Sequence, residues 1–382
     1  LIAHTLGLTG KIVGLTCTNG IYIGTECIMK GDCTGAISAE TVLSNKQVEA
    51  AVLETARGGI IRRGLGYDKA DVGVIVNISE DHLGSDGIET KEDIAHVKSL
   101  VAEAVKEDGY AVLNADDSMT SDILKRIKHN AILFSSNYQN DLIKMHLRKG
   151  GKCVIAKEGT IFACSGRKKT PIAEINNIPI TFCGKAICNI ENSLAAVSAL
   201  VALEVKNEII REGLYSFKPD IKSNPGRFNI FDMGDFKIML DYGHNPAGYA
   251  AVLDFIKGLG AGRYIGIIGV PGDRCEKSIR EVGALCGEMF SKIYIKEDKD
   301  PRRRKKGEVS SLLLEGVLAS GFDKRSIDII LDEKEALMKA ISEAQTGDLI
   351  VMFYEEFEPL LKVIEEYDFH RDNDVHIQDV IA

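Results

Sequence analysis

No apolar run in the 382-residue sequence approaches the ~20 residues that a bilayer-spanning helix needs. The segment at Leu1 also lacks the charged leader of a signal peptide. Both absences argue against a membrane partner, and a cytoplasmic protein is expected. Paired cysteines are missing too. The nine cysteines include no CxxC pair and no Cys/His spacing suited to zinc, so they read as small buried hydrophobes in a reducing compartment. A basic surplus is absent as well: 47 Lys and Arg against 56 Asp and Glu leave a net charge of −9. Binding to a phosphate backbone needs a basic face, so nucleic acid is not expected as a partner. There is no internal repeat and no low-complexity tract. The first residue is Leu rather than Met, and "LIAHTLGLTGKIVGLT" reads as mid-helix running into a strand, so the chain reads as a fragment or a trimmed product.

What is present is the texture of an α/β protein of two or three domains. Apolar, β-branched strands ("KIVGLT", "VEAAVLET", "VGVIVNIS", "GYAVLNADD", "AILFSS") alternate with helical stretches such as "KEDIAHVKSLVAEAV" and "DILKRIK". That alternation indicates a parallel sheet covered on both faces. From about 145 to 183 short alternating strands ("KCVIAKEGTIFAC", "IPITF") read as a small antiparallel flap. The Pro- and Gly-bearing stretch "KPDIKSNPGRFNIF" reads as a boundary, which divides the chain into 1–218 and 219–382. The second part again alternates: "FKIMLD", "RYIGIIGV", "KIYIKED", "SIDIILD" and "GDLIVMFY" are strands with helices between them.

In open parallel sheets the ligand crevice lies at the C-terminal ends of the strands. Glu54, His82 and Asp241 each close or follow such a strand, and carboxylate or imidazole there suits Mg²⁺ beside phosphates, although charge at a strand end is also ordinary. Lys98 falls among the apolar positions Ile94, Val97, Val101, Ala104 and Val105 of one helix. A lysine so placed must snorkel, find an anion, or lose its charge chemically, as a carbamate would. Arg227 follows a Pro-Gly turn at the boundary, where a mobile joint could carry it onto a phosphate; an interdomain ion pair is the plainer reading. In "DYGHNPAGY", Asn245 is a plausible N-cap with Pro246 in the first turn. "GVPGDR" could hold an anion on backbone N–H groups, and the basic run from Arg302 to Lys306 is either a solvated loop or a carboxylate clamp.

Together these stretches resemble the Mur ligase superfamily, and most closely the Mur-like C-terminal half of the cyanophycin synthetases. The resemblance is carried by "LETARGGI", "NISEDHLG", "GIETKEDIAHVKS", "NIENSLAAVSAL", "PGRFN", "DYGHNPAGY", "GVPGDR" and "KEDKDPRRR", in the family's order, to about Leu361. It implies a Mur ligase-like central parallel-sheet ATPase domain followed by a Rossmann-like C-terminal α/β domain. It implies an ATP- and Mg²⁺-dependent amide ligase that forms an acyl phosphate and adds L-aspartate to a poly-aspartate backbone, with a homo-oligomer expected for the full-length protein. Carried over residue by residue, Glu54, His82 and carbamylated Lys98 match metal ligands. Asn189 and Asn192 match asparagines near the nucleotide, and Arg227 and Asp241 a phosphate- and ribose-facing pair. His244 and Asn245 belong to the C-terminal-domain motif, while Arg274 and Arg302 fall on the side that reads the incoming amino acid. The family's glycine-rich phosphate loop would stand just before Leu1 and is not in the sequence; either the sequence starts late in a longer protein or the polypeptide lacks the loop, and in the second case at most weak ATP binding and no ligation are expected. Two alternatives stand beside this reading: a MurE- or folylpolyglutamate-synthase-like ligase with another acceptor, and an inactive Mur-like module for oligomerisation or polymer binding.

Overall fold

Residues 1–80, 86–302 and 304–368 are described by a computed structural model, in which the chain divides into two compact units, Leu1–Lys218 and Pro219–Ala382. In the first unit the strands are β1 (Val13–Cys17), β2 (Gly20–Ile23), β3 (Glu26–Lys30), β4 (Ala50–Leu53), β5 (Ala70–Ile75), β6 (Val105–Asn114), β7 (Asn130–Ser135), β8 (Lys152–Lys157), β9 (Thr160–Ser165) and β10 (Lys168–Glu174). Its helices are α1 (Ile2–Gly7), α2 (Ala36–Leu43), α3 (Arg57–Arg63), α4 (Lys91–Glu103), α5 (Thr120–Arg126), α6 (Asp141–Arg148), α7 (Ile187–Ala202) and α8 (Asn207–Ser216).

Two sheets form, in the orders β3-β2-β1-β4 and β10-β9-β8-β7-β6-β5. Strands β5 to β8 run parallel, which their continuous apolar runs require, because alternate side chains point to opposite faces and both faces are covered. Val112, Ile132, Phe134 and Val154 meet Leu194, Val197 and Leu200 of α7 on one side. Ala111, Leu113, Leu133 and Ile155 meet Ile94 of α4, Ile123 of α5 and Ile143 of α6 on the other. Helix α4 starts at a capping box in which Thr90 and Asp93 satisfy each other's backbone donors.

Three sequence expectations are corrected. The stretch read as a small antiparallel flap does hold the antiparallel strands β8, β9 and β10, but they continue the main sheet, because β8 joins β7 in parallel. "IPITF" is not a strand but a 3₁₀ turn at Pro179–Thr181, where proline at the first position suits a helical turn. The strands expected in one series fall into two sheets, since among the described residues β4 pairs with β1 and β5 with β6.

The second unit has β11 (Asn229–Asp232), β12 (Lys237–Asp241), β13 (Tyr264–Ile268), β14 (Lys292–Ile295), β15 (Ile327–Ile329) and β16 (Leu349–Phe353), with α9 (Pro246–Lys257), α10 (Glu276–Met289), α11 (Glu308–Ala319) and α12 (Glu333–Ser342). The sheet order is β11-β12-β16-β13-β14-β15, parallel except for β11 at its edge. Helix α9 begins where Asn245 accepts from the Gly248 amide at 2.8 Å and Pro246 fills a first-turn position that needs no donor. Thus Asp241, the loop after β13, the loop after β14 and Tyr354 after β16 all stand at C-terminal strand ends of one sheet.

Candidate functional site

In the first unit a cavity of about 790 Å³ lies between β4 and β5, floored by Ala195, Ala196 and Ala199 of α7. Glu54, Asn77, Lys98 and Asn192 line its polar part. Glu54 directly follows β4, and its carboxylate accepts from the Thr18 hydroxyl at 3.0 Å and the Thr18 amide at 3.2 Å, so the turn after β1 sets its direction. Lys98 is half-buried, and its Nζ donates to the Asn77 carbonyl at 3.0 Å. Lys98 falls among the apolar positions, as expected: it lies four residues after buried Ile94 and four before buried Ala102 on one helical row. The buried positions of α4 are Ile94, Ala95, Ser99 and Ala102, and Lys98, half-buried between them, lines the cavity. Thr16 also lines the cavity; it is 1% exposed, and its Oγ1 has no hydrogen-bond partner among the described residues.

Asn192 donates to Asn189 Oδ1 at 3.3 Å, and Asn189 is turned inward, donating to the Ile180 carbonyl at 2.8 Å. Asn189 therefore anchors the start of α7, and Asn192 is the one of the pair that reaches the cavity. His82 lies outside the described residues. Among the described residues no group of three or more His, Cys, Asp or Glu side chains stands close enough to hold a metal ion.

In the second unit Asp241 is buried at the end of β12, and its carboxylate accepts from the amides of Phe228 at 3.0 Å and Gly243 at 2.8 Å. Burial pushes its pKa above the ordinary carboxylate range, while Arg227, those amides and His244 pull it back. The Arg227 guanidinium lies over the Tyr242 ring, 5.0 Å from its centroid. His244 Nδ1 stands 3.1 Å from the Tyr242 carbonyl, an acceptor that places the proton on Nδ1, and Nε2 lies 3.5 Å from Asn245 Nδ2.

Arg274 and Arg302 share one carboxylate. Asp273 accepts from Arg274 at 3.1 Å and from Arg302 at 2.9 Å. Gly272 makes the approach possible, since a Cβ there would collide with the Pro301 carbonyl. Arg302 holds φ at +44°, with its amide on Asp300, so this loop end is constrained rather than free. The sequence does not single out Thr16, Asn77, Asp273, Tyr242 or Tyr354. The strand-end rule could have found Asn77 and Tyr354, but nothing in the sequence signals the sharing of Asp273.

The model of the Mur ligase middle domain matches residues 1–200, and that of the Mur ligase glutamate ligase domain matches residues 226–353. A cyanophycin synthetase of Geminocystis herdmanii is 42% identical over 367 residues, covering 96% of this chain and 42% of that protein. The chain thus spans less than half the length of that relative. A UDP-N-acetylmuramoyl-L-alanyl-D-glutamate–2,6-diaminopimelate ligase of Bacillus cereus is 26% identical over 374 residues, covering 94% of this chain and 71% of that one. Among solved structures, E. coli FolC in complex with DHPP and ADP aligns with a TM-score of 0.68 at 18% identity, covering 97% of this chain and 85% of that one, which is a likeness of fold.

Proposed function

Because the chain belongs to the Mur ligase family, we propose that it carries the metal-, nucleotide- and amino-acid-binding residues of an ATP-dependent amide ligase of the cyanophycin synthetase type. The observation that carries this reading is that Glu54 and Lys98, far apart in sequence, line one cavity beside the C-terminal ends of β4 and β5. The donor set suits Mg²⁺, which binds through one or two carboxylates and takes its remaining ligands from phosphates and water. Glu54 would hold the ion, and Lys98, as a carbamate, would offer a further oxygen. When bound, the ion would supply charge stabilisation at a phosphate.

Arg227 would meet phosphate oxygens with its planar fork, and Asp241, aimed by two backbone amides, would accept from a ribose hydroxyl. Arg274 and Arg302 around Asp273 would receive the carboxylates of an incoming aspartate, each arginine exchanging part of its pairing with Asp273 for the substrate. An acyl phosphate formed on the polymer's terminal carboxylate would then be attacked by the aspartate amine, releasing phosphate.

Calorimetric titration with ATP tests this. Heat that requires Mg²⁺ is expected, weak from this chain alone and larger from the protein extended upstream through the phosphate loop, and Glu54→Gln is expected to weaken binding about tenfold in the extended protein, the scale of one lost charged metal contact. Equal heats with and without Mg²⁺, or an unchanged affinity in Glu54→Gln, would sink the reading in favour of an inactive module.

A further inference from the structure

We infer that Tyr242 and Tyr354 form an aromatic bracket that holds Arg227 in one pose within the second unit, which makes them positioning residues for that arginine. The sequence suggests a mobile joint around "SNPGRFN", and within the second unit the residues beside Arg227 make specific contacts. The Tyr354 hydroxyl donates to the Gly226 carbonyl at 3.1 Å. Gly226 has φ +73°, and a Cβ there would overlap the same hydroxyl, so the turn closes directly onto Tyr354. Its amide donates to Asn229 Oδ1 at 2.6 Å. On the other side of Arg227, Phe228 adopts φ +52°, an unfavourable region for a bulky side chain, and is held there by the 3.0 Å bond from its amide to Asp241 and by an edge contact with Phe255.

The backbone is therefore fixed on both flanks of Arg227, which sets the direction of its Cα–Cβ bond. The rings then set the guanidinium. Tyr242 lies beneath it, and Tyr354 packs on Tyr242 with centroids 5.4 Å apart. These contacts close a ring of four residues: Gly226, Arg227, Tyr242 and Tyr354. An arginine restrained in this way loses less rotamer freedom when it meets an anion, so the bracket pre-organises it. The structural claim is independent of nucleotide binding; its consequence for affinity rests on the function proposed above.

Limited trypsinolysis reads the pose directly, because trypsin cleaves after Arg227. Tyr354→Phe, which removes only the hydroxyl, and Tyr242→Leu, which removes the ring face, are each expected to speed cleavage after Arg227 about fivefold or more by opening the turn locally. Cleavage after the exposed Lys168 in the other unit serves as the control and should not change. Tyr242→Phe keeps the ring and is expected to behave as the unaltered chain. In parallel, Tyr242→Leu should weaken Mg·ATP binding by about fivefold, the scale of one arginine–aromatic contact, with Tyr242→Phe restoring it. Unchanged cleavage after Arg227 in both Tyr354→Phe and Tyr242→Leu would overturn the bracket, and so would an equal rise after Lys168. If the unaltered chain gives no Mg·ATP heat, the nucleotide reading fails, and the proteolysis still decides the bracket.

Discussion

Charged side chains in this protein behave according to what surrounds them rather than what precedes them in sequence. Asp348 shows this clearly. Burial raises its carboxyl, but paired bonds from Arg263 at 2.9 and 2.6 Å and an amide bond from Gln345 outweigh burial, so its pKa falls below the ordinary value. A carboxylate depressed in the folded state stabilises the fold fully above its unfolded pKa of about 3.9, and that contribution is lost as pH falls through the folded value. Urea denaturation should therefore show the unaltered protein losing stability relative to Asp348→Asn between pH 5 and pH 3. A constant difference across that range would refute the assignment. The strand-end places of Glu54 and Asp241, and the turn that carries Arg227, were legible because strand ends and Pro-Gly turns are local signals. Lys98 was visible as an oddity among apolar positions, but the cavity it lines was not, because a helix's neighbours decide what each of its faces meets.

At the scale of elements, close backbone approaches decide which glycines are irreplaceable. Helices α10 and α11 touch backbone to backbone: a Cβ on Gly316 would collide with the Arg280 carbonyl, and one on Gly283 with the Leu313 carbonyl. Gly316→Ala should cost about 1–3 kcal/mol, the range for overpacking a tight interface. Gly58, inside α3, has nothing within 4 Å of a Cβ, so Gly58→Ala should stabilise by about 0.5–1 kcal/mol through helix propensity alone. Chemical denaturation of the two variants checks both signs, and the same sign in both would contradict the packing argument. The apolar periodicity that revealed the strands could not reveal these contacts, since glycine carries no hydrophobic signal. It also failed at "IPITF", where alternation looked like a strand but Pro179 and the adjoining turn favoured a 3₁₀ helix.

On the whole-molecule scale, each unit has its own buried core: Val112, Phe134 and Leu194 are central in the first, and Ile238, Ile267 and Met352 in the second. Units with separate cores unfold with separate cooperativity unless tightly coupled. Scanning calorimetry is expected to resolve two transitions, with Gly316→Ala lowering one and leaving the other in place. A single transition shifted as a block would show that the units melt together.

By itself the sequence determined the class of fold, because hydrophobic period and helix caps are properties of neighbouring residues. It also marked the strand ends where acids and arginines collect, and the run of motifs that joins the chain to the Mur ligases. Only the tertiary structure decided that β8 to β10 extend the main sheet, that β4 and β5 flank a cavity instead of pairing, and that Tyr242 packs against Arg227 with Tyr354 beside it. Those outcomes depend on which distant segments share a hydrogen-bond edge or a packing face, and no local pattern along the chain encodes that.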